Sequence, residues 1–264
     1  MNLLQGSQPQ EHDHRRQAIA KRFGRAALSY DENATVQSKI AQHTQSLMVN
    51  LCDQRIVDIG CATGRETVKL VAANNQVVGV DISPAMVSAA SQRYPQLTFV
   101  QGDAESLPFP AGSFQCVYSS MALQWVASPA QAISEISRVL GAGGTAHLAI
   151  MVADSLHELV IAKQRANMAP TVNQLFTPQQ WMAALLASPL AVHFNQVRQY
   201  EDYHRNIRSL LRSITKVGAG LSLGNTQSSP LRRQQLQQLE HVFAKDEQGN
   251  LKVTYQVLHL ILEK

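Results

Sequence analysis

Cysteine, charge and long apolar runs are all in short supply in this 264-residue chain. Its three cysteines, Cys52, Cys61 and Cys116, have neither paired nor metal-ligand spacing, which argues against a disulfide-built scaffold or a zinc module and fits a reducing compartment. Charged residues make up 16% of the chain, and 23 Lys and Arg against 19 Asp and Glu leave a net charge of only +4. That excess is too small to imply nucleic acid, which is not expected as a partner. No uninterrupted apolar stretch approaches the ~18 residues of a membrane span, so a membrane is not expected either. Residues 1–16 turn polar at once and lack the apolar core of a secretory signal, which places the chain in the cytoplasm. Internal repeats and low-complexity tracts are also missing.

What remains is a pattern of alternating strands and helices. Short β-branched runs at 56–59, 77–80, 97–100, 114–118 and 146–150 read as strands, with helical stretches near 65–73, 84–93 and 129–140 between several of them. This alternation predicts an α/β fold: a doubly wound, mostly parallel, seven-stranded sheet covered on both faces. Residues 1–12 are expected as a disordered tail, and 13–264 as one domain. Within it, 13–51 form N-terminal helices, one capped by Asp13 and one from about Glu32 to Leu51. Residues 52–151 form the core. Helices are expected near 155–168, 178–187, 205–217 and 231–243, and the last two strands near 191–200 and 250–262. The sheet is thus completed by 152–202 and 246–264, and 203–245 form a helical insertion before the last strand.

Chemistry concentrates at the strand ends. Asp58-Ile59-Gly60-Cys61-Ala62-Thr63-Gly64 follows the first strand and opens a helix, and its glycines allow close backbone approach to a ligand. Asp81 ends the second strand, where a carboxylate can accept both hydroxyls of a ribose, and Asp103 follows the third, where one can meet an adenine amino group. A glycine turn is often mere chain reversal, and a lone Asp is commonly a helix cap. Three such features on successive strand ends point to an adenosine-containing ligand. Asp58 would repel a pyrophosphate but suits the α-ammonium of a methionine moiety. A third glycine is missing, and both facts disfavour a hydride-transferring dehydrogenase.

Residues 55–151 resemble the class I S-adenosylmethionine-dependent methyltransferases, whose first motif reads D/E-x-G-x-G-x-G. The departure is Ala62, where the family's middle glycine would stand. The resemblance implies cofactor contacts from Asp58, Gly60, Cys61, Ala62, Gly64, Asp81, Ile82, Asp103, Ala104 and Ser120. Three further segments are more particular: Phe23-Gly24-Arg25-Ala26-Ala27 with Tyr30, Ala34 and Gln37; Met121-Ala122-Leu123-Gln124-Trp125; and Leu211-Arg212-Ser213-Ile214 with Val217-Gly218-Ala219. With these the chain, from about residue 17 onward, is similar to the malonyl-acyl-carrier-protein O-methyltransferases of biotin synthesis. That family usually carries a lysine at the position of Thr215; here lysine stands one place later, at Lys216. The resemblance implies methylation of the free carboxylate of a malonyl thioester, with malonyl-acyl-carrier protein as partner and no metal. A carboxylate is already a nucleophile, so no general base is required.

An acidic substrate needs cations. Arg205, Arg208, Arg212 and Lys216 fall within roughly an 80° sector of a helix at ~100° per residue, with Ile207, Leu210, Leu211, Ile214 and Val217 opposite. They read either as a solvated face or as a dock for the carrier. Given the resemblance, Arg212 is expected at the malonyl carboxylate, and Arg25, Arg205, Arg208 and Lys216 at the carrier. Tyr30 is either a half-buried packing residue or a hydroxyl donor from a lid. Gln124 and Trp125 lie where a parallel sheet presents its ligands, although Trp125 could equally be core. Phe23, Met86, Met121 and Trp181 read as packing. Another small-molecule methyltransferase, or a cofactor-binding partner protein without catalysis, are the alternatives.

Overall fold

The structure is a computed structural model that describes residues 8–27, 29–49, 51–72, 74–168, 175–217 and 231–264, with backbone alone for 8–12. Five strands run parallel: β1 (Arg55–Ile59), β2 (Gln76–Asp81), β3 (Thr98–Gln101), β4 (Phe114–Ser120) and β5 (Leu140–Met151). β6 (Ala191–His204) and β7 (Leu251–Glu263) complete the sheet in the order β3-β2-β1-β4-β5-β7-β6, with β7 antiparallel to both neighbours. The chain leaves β1 towards β2 and β3 and then returns to β4 on the other side. This reversal opens a crevice at the carboxyl ends of β1 and β4.

Three helices begin on the same local signal, a hydroxyl residue followed by proline. Ser83, Ser128 and Thr177 cap α4 (Pro84–Arg93), α5 (Pro129–Val139) and α7 (Pro178–Leu186), accepting from the backbone of Met86, Gln131 and Gln180. One core layer, with Val57, Ile133, Ile136, Leu148 and Trp181, packs α5 and α7 on one face of the sheet. A second, with Ile40, Leu159, Leu210, Ile214 and Leu239, packs α3 (Thr35–Ser46), α6 (His157–Arg165), α8 (Ile207–Lys216) and α9 (Arg233–Val242) on the other. The doubly wound expectation therefore holds, and α8 and α9 lie between β6 and β7 in the chain.

Several boundaries move. α1 spans Gln8–Ala26, so Asp13 lies inside the helix and does not cap it, and residues 8–12 of the expected tail are helical. Pro9 fits a first helical turn, which lets the helix start earlier. Residues 1–7 lie outside the described part, as do Gly218 and Ala219. The second expected helix is broken at Ala34 (φ −87°, ψ 44°) into the single turn α2 (Tyr30–Asn33) and α3, which ends at Ser46 rather than near Leu51. The helix near 65–73 is a short 3₁₀ segment, Thr67–Val71. Arg205 stands ahead of α8, because the Asn206 side chain caps the amide of Ser209 at 2.9 Å and starts the helix at Ile207.

Candidate active site

The floor of the crevice is backbone. The amides of Gly60 and Cys61 both donate to Val80 O, at 2.7 and 3.1 Å, which ties the loop after β1 to the end of β2. Gly60 has φ 79°, and a Cβ there would overlap that of Ala122. Gly64 has φ 78°, and its Cβ would press on the Phe99 ring at 2.8 Å. Ala62 takes φ 46°, a left-handed backbone that costs a non-glycine residue roughly 1 kcal/mol. Its amide donates to Asp81 Oδ2 at 3.0 Å, and the Ser83 amide donates to Oδ1 at 2.8 Å. Asp58 is buried and accepts from the Thr67 hydroxyl at 2.6 Å.

These carboxylates sit in an unusual electrical setting. Burial pushes Asp58 up to about 7, against the Thr67 hydrogen bond and reinforced by the charges of Asp81 and Glu66. Burial likewise raises Asp81 to about 6, partly offset by the Ser83 and Ala62 amides. Both groups are poised to gain from a cationic ligand.

Two compartments meet here. The larger, about 740 Å³, has Asp81, Ile82, Asp103 and Ala104 on its floor and Phe23, Met121 and Trp125 on its walls. The smaller, about 400 Å³, is lined by Asp58, Gln37, Cys61, Arg65, Tyr118 and Ser120. Tyr30, Gly60 and Ala62 line both and mark the junction. In the smaller compartment Gln37 Oε1, Tyr118 OH and Ser120 Oγ are buried without a hydrogen-bond partner of good geometry. Such orphaned groups beside a buried carboxylate fit the ammonium and carboxylate of an amino acid. The larger compartment offers Asp81 to a ribose and Asp103 to an adenine amine. S-Adenosylmethionine therefore fits the residues present.

The roof comes from the N-terminal helices. Arg15 Nη2 donates to the carbonyls of Trp125 and Val126 at 3.5 and 3.3 Å, Arg16 ion-pairs with Asp103, and Phe23 meets Trp125 edge-on at 5.5 Å. Tyr30 opens α2, and burial, aided by Asp81, lifts its hydroxyl well above the usual phenol range, so it stays a neutral donor. The next residue, Asp31, accepts from Thr63 Oγ1 at 2.7 Å and ion-pairs with Arg93.

Most of the expected residues converge. Asp58, Gly60, Cys61, Ala62, Asp81, Ile82, Asp103, Ala104, Ser120, Tyr30 and Trp125 line the compartments, and Gly64 supports the loop from behind. Gln124 does not line either one. It is buried, and its side chain folds back to donate to Met121 O at 2.7 Å, because the 3₁₀ turn Leu123–Trp125 sends it inward and leaves Trp125 facing the cleft. Met86 and Trp181 are fully buried packing, but Phe23 and Met121 line the cleft, Met121 with φ 57°. Arg25, Arg205, Arg208 and Arg212 are exposed, Lys216 is half-buried, and none of the five lines a compartment. Arg15, Arg16 and Gln37 take roles here that the sequence did not assign them, and Asp31, Thr67 and Tyr118 are unforeseen. Of the unforeseen three, only Thr67, nine residues beyond Asp58 across one loop, had a local signal to find it by.

A methyltransferase domain family model matches residues 57–148. Malonyl-acyl-carrier-protein O-methyltransferase of Erwinia billingiae is 32% identical over 255 residues, covering 92% of this chain and 97% of the relative. The same enzyme of Alcanivorax borkumensis is also 32% identical, covering 93% and 86%. Among solved structures, the YcgJ protein of Bacillus subtilis superposes with a TM-score of 0.61 at 20% identity, covering 84% of this chain and 98% of that one, which supports the fold. With relatives this similar along nearly their whole length, the chain belongs to the malonyl-acyl-carrier-protein O-methyltransferases, S-adenosylmethionine-dependent enzymes of biotin synthesis.

Proposed function

We propose that this chain methylates the free carboxylate of a malonyl group presented on an acyl-carrier protein, and that the reaction is centred at the junction of the two compartments. S-Adenosylmethionine, when bound, supplies an electrophilic methyl group on a positively charged sulfur. The observation that carries the reading is Tyr30, whose side chain lines both the amino-acid and the adenosine compartments. The sulfur joins those two halves of the cofactor, so the residue at the junction is the one beside the acceptor.

Asp58 and the orphaned groups of Gln37 and Ser120 would hold the amino-acid end, with Cys61 and Gly64 shaping the loop. Asp81 and Ile82 would hold the ribose, and Asp103 and Ala104 the adenine. Tyr30 donates its hydroxyl hydrogen to one oxygen of the acceptor carboxylate and leaves the other free to attack. Phe23, Met121 and Trp125 exclude water, which aids a transfer that neutralises two charges. Arg212 lies on α8, and α8 packs against α2, the helix that begins with Tyr30; we assign it to the substrate carboxylate. Arg25, Arg205, Arg208 and Lys216 would meet an acidic carrier outside the compartments. No helix among the described residues is long and apolar enough to cross a membrane, and Cys52, Cys61 and Cys116 are free thiols, which supports the cytoplasm as the site of the reaction.

The test is transfer of a labelled methyl group from S-adenosylmethionine to malonyl-carrier protein, with acetyl-carrier protein as control. Base-labile label on the malonyl form alone is expected. Tight cofactor binding without transfer would remove the malonyl thioester as substrate.

A further inference from the structure

We infer that Asp31 is a positioning residue: it clamps the single-turn helix that begins with Tyr30 to the cofactor loop, and so sets where the Tyr30 hydroxyl points. The inference rests on the reading of Tyr30 given above.

α2 cannot hold itself in place. It has four residues, its Ser29 N-cap makes no side-chain capping bond, and Ala34 breaks it from α3. One helical turn has no stability of its own in water. Its only internal side-chain bond among those described runs from Asn33 Nδ2 to Ser29 O at 2.6 Å. The turn is instead held from outside, at Asp31. Thr63 Oγ1 donates to its carboxylate at 2.7 Å, Arg65 Nη1 donates to its carbonyl at 2.8 Å, and Arg93, at the end of α4, ion-pairs with it. Arg65 extends the grip past the break, donating to Ala34 O at 3.4 Å and to Ser38 Oγ.

Two features make this more than a surface ion pair. The Asp31 and Arg65 side chains are only 20% and 23% exposed, so their bonds are partly shielded from water. The donors Thr63 and Arg65 flank Gly64 on the very loop that faces the cofactor, whereas Asp31 itself lines neither compartment. Asp31 is thus rigidly referenced to the cofactor floor and covalently next to the acceptor-side hydroxyl, without touching the reacting groups. Its effect on turnover is assigned to Tyr30, its covalent neighbour, rather than to Thr63 and Arg65 on the cofactor loop, and an unchanged Kd separates the two.

The experiment is a double-mutant cycle of Asp31→Ala with Tyr30→Phe, measuring kcat and KM for malonyl-carrier protein together with the Kd of S-adenosylhomocysteine by calorimetry. Asp31→Ala is expected to lower kcat by about tenfold, with KM and Kd within about twofold, because a misplaced group affects the transition state more than ground-state binding. In the Tyr30→Phe background the same change is expected to cost nothing further, and Asp31→Asn to recover part of the loss. Equal factors in both backgrounds, or a normal kcat for Asp31→Ala, would overturn the clamp. A normal kcat for Tyr30→Phe alone would instead overturn the reading of Tyr30. Should Asp31→Ala fail to fold, Arg93→Met removes the outer ion pair together with the guanidinium contact on the Tyr94 ring, and a loss of about threefold that vanishes in the Tyr30→Phe background is expected in its place.

Discussion

The floor and the roof of the cleft are built from different bonds. On the floor, backbone holds backbone: Gly60 and Cys61 to Val80, Gly102 to Asp81 at 3.0 Å, Met121 to Ala149 at 2.8 Å. On the roof, side chains do the holding: Arg15 to two carbonyls, Arg16 to Asp103, Arg93 to Asp31, Phe23 against Trp125. A sheet-anchored floor is preorganised and nearly indifferent to salt. A roof held largely by partly exposed ion pairs is the half that salt weakens. The site therefore ties its cofactor loop to the sheet and leaves the roof as its salt-sensitive half.

The largest expected effect breaks the floor alone. Gly60→Ala forces a Cβ against Ala122 at a left-handed position, and S-adenosylhomocysteine affinity should fall by about 100-fold in calorimetry. The protein should remain folded, since the sheet pairing of β1 with β2 and β4 is kept.

Next comes pH. Asp58 and Asp81 both have folded-state values raised by burial, to about 7 and about 6, so the folded protein without ligand binds protons more tightly than the unfolded chain. Their contribution to stability is fully present below about pH 4, where the unfolded carboxyls are protonated too, and is lost progressively until it is gone above about 6 and 7. Cofactor affinity should run the opposite way, gaining about tenfold between pH 6 and 8 as the carboxylates ionise. Thermal melts from about pH 4 to 8 check the first trend, and titrations from about pH 6 to 8 check the second. Asp58→Asn should flatten the first, and Thr67→Val, which removes the hydroxyl that favours the ionised form, should shift the second to higher pH.

A smaller effect separates the roof from the exposed arginines outside the compartments. Arg205→Glu with Arg208→Glu should raise KM for malonyl-carrier protein by about fivefold and leave a small malonyl thioester unaffected, with high salt reproducing the loss in the unaltered protein. The smallest effect sharpens the floor. Ala62→Gly removes a left-handed strain but adds chain entropy, for a net gain of about 0.5 kcal/mol, read as a rise of roughly 1–2 °C in Tm.

The same division separates what the sequence discloses from what it hides. Asp58, Gly60, Asp81 and Asp103 were legible because a strand end followed by a turn is written in adjacent residues. Arg16 and Asp31 carry no such mark. Their partners stand 87 and 62 residues away, at Asp103 and Arg93, and only tertiary packing brings them together. Gln124 was misplaced for a related reason: the motif gives its neighbourhood, but one 3₁₀ turn decides which of three consecutive side chains faces the cleft. Arg205 failed the helical-sector argument because the cap at Asn206 starts the helix two residues later.

The strand β7 has a consequence for how the molecule is made. It is inserted between β5 and β6: it pairs with β6 along its whole length, Leu251 to Glu263, and with β5 over its second half, Val257 to Glu263. During synthesis β5 has one partner, β4, while its other edge waits more than a hundred residues for its mate, and β6 has none. Those unpaired edges are templates for association between nascent chains. A ribosome halted before Leu251 would therefore release a product in which β5 ends the sheet on a bare edge and β6 has nothing to pair with, a far more aggregation-prone species than one that had merely lost a tail.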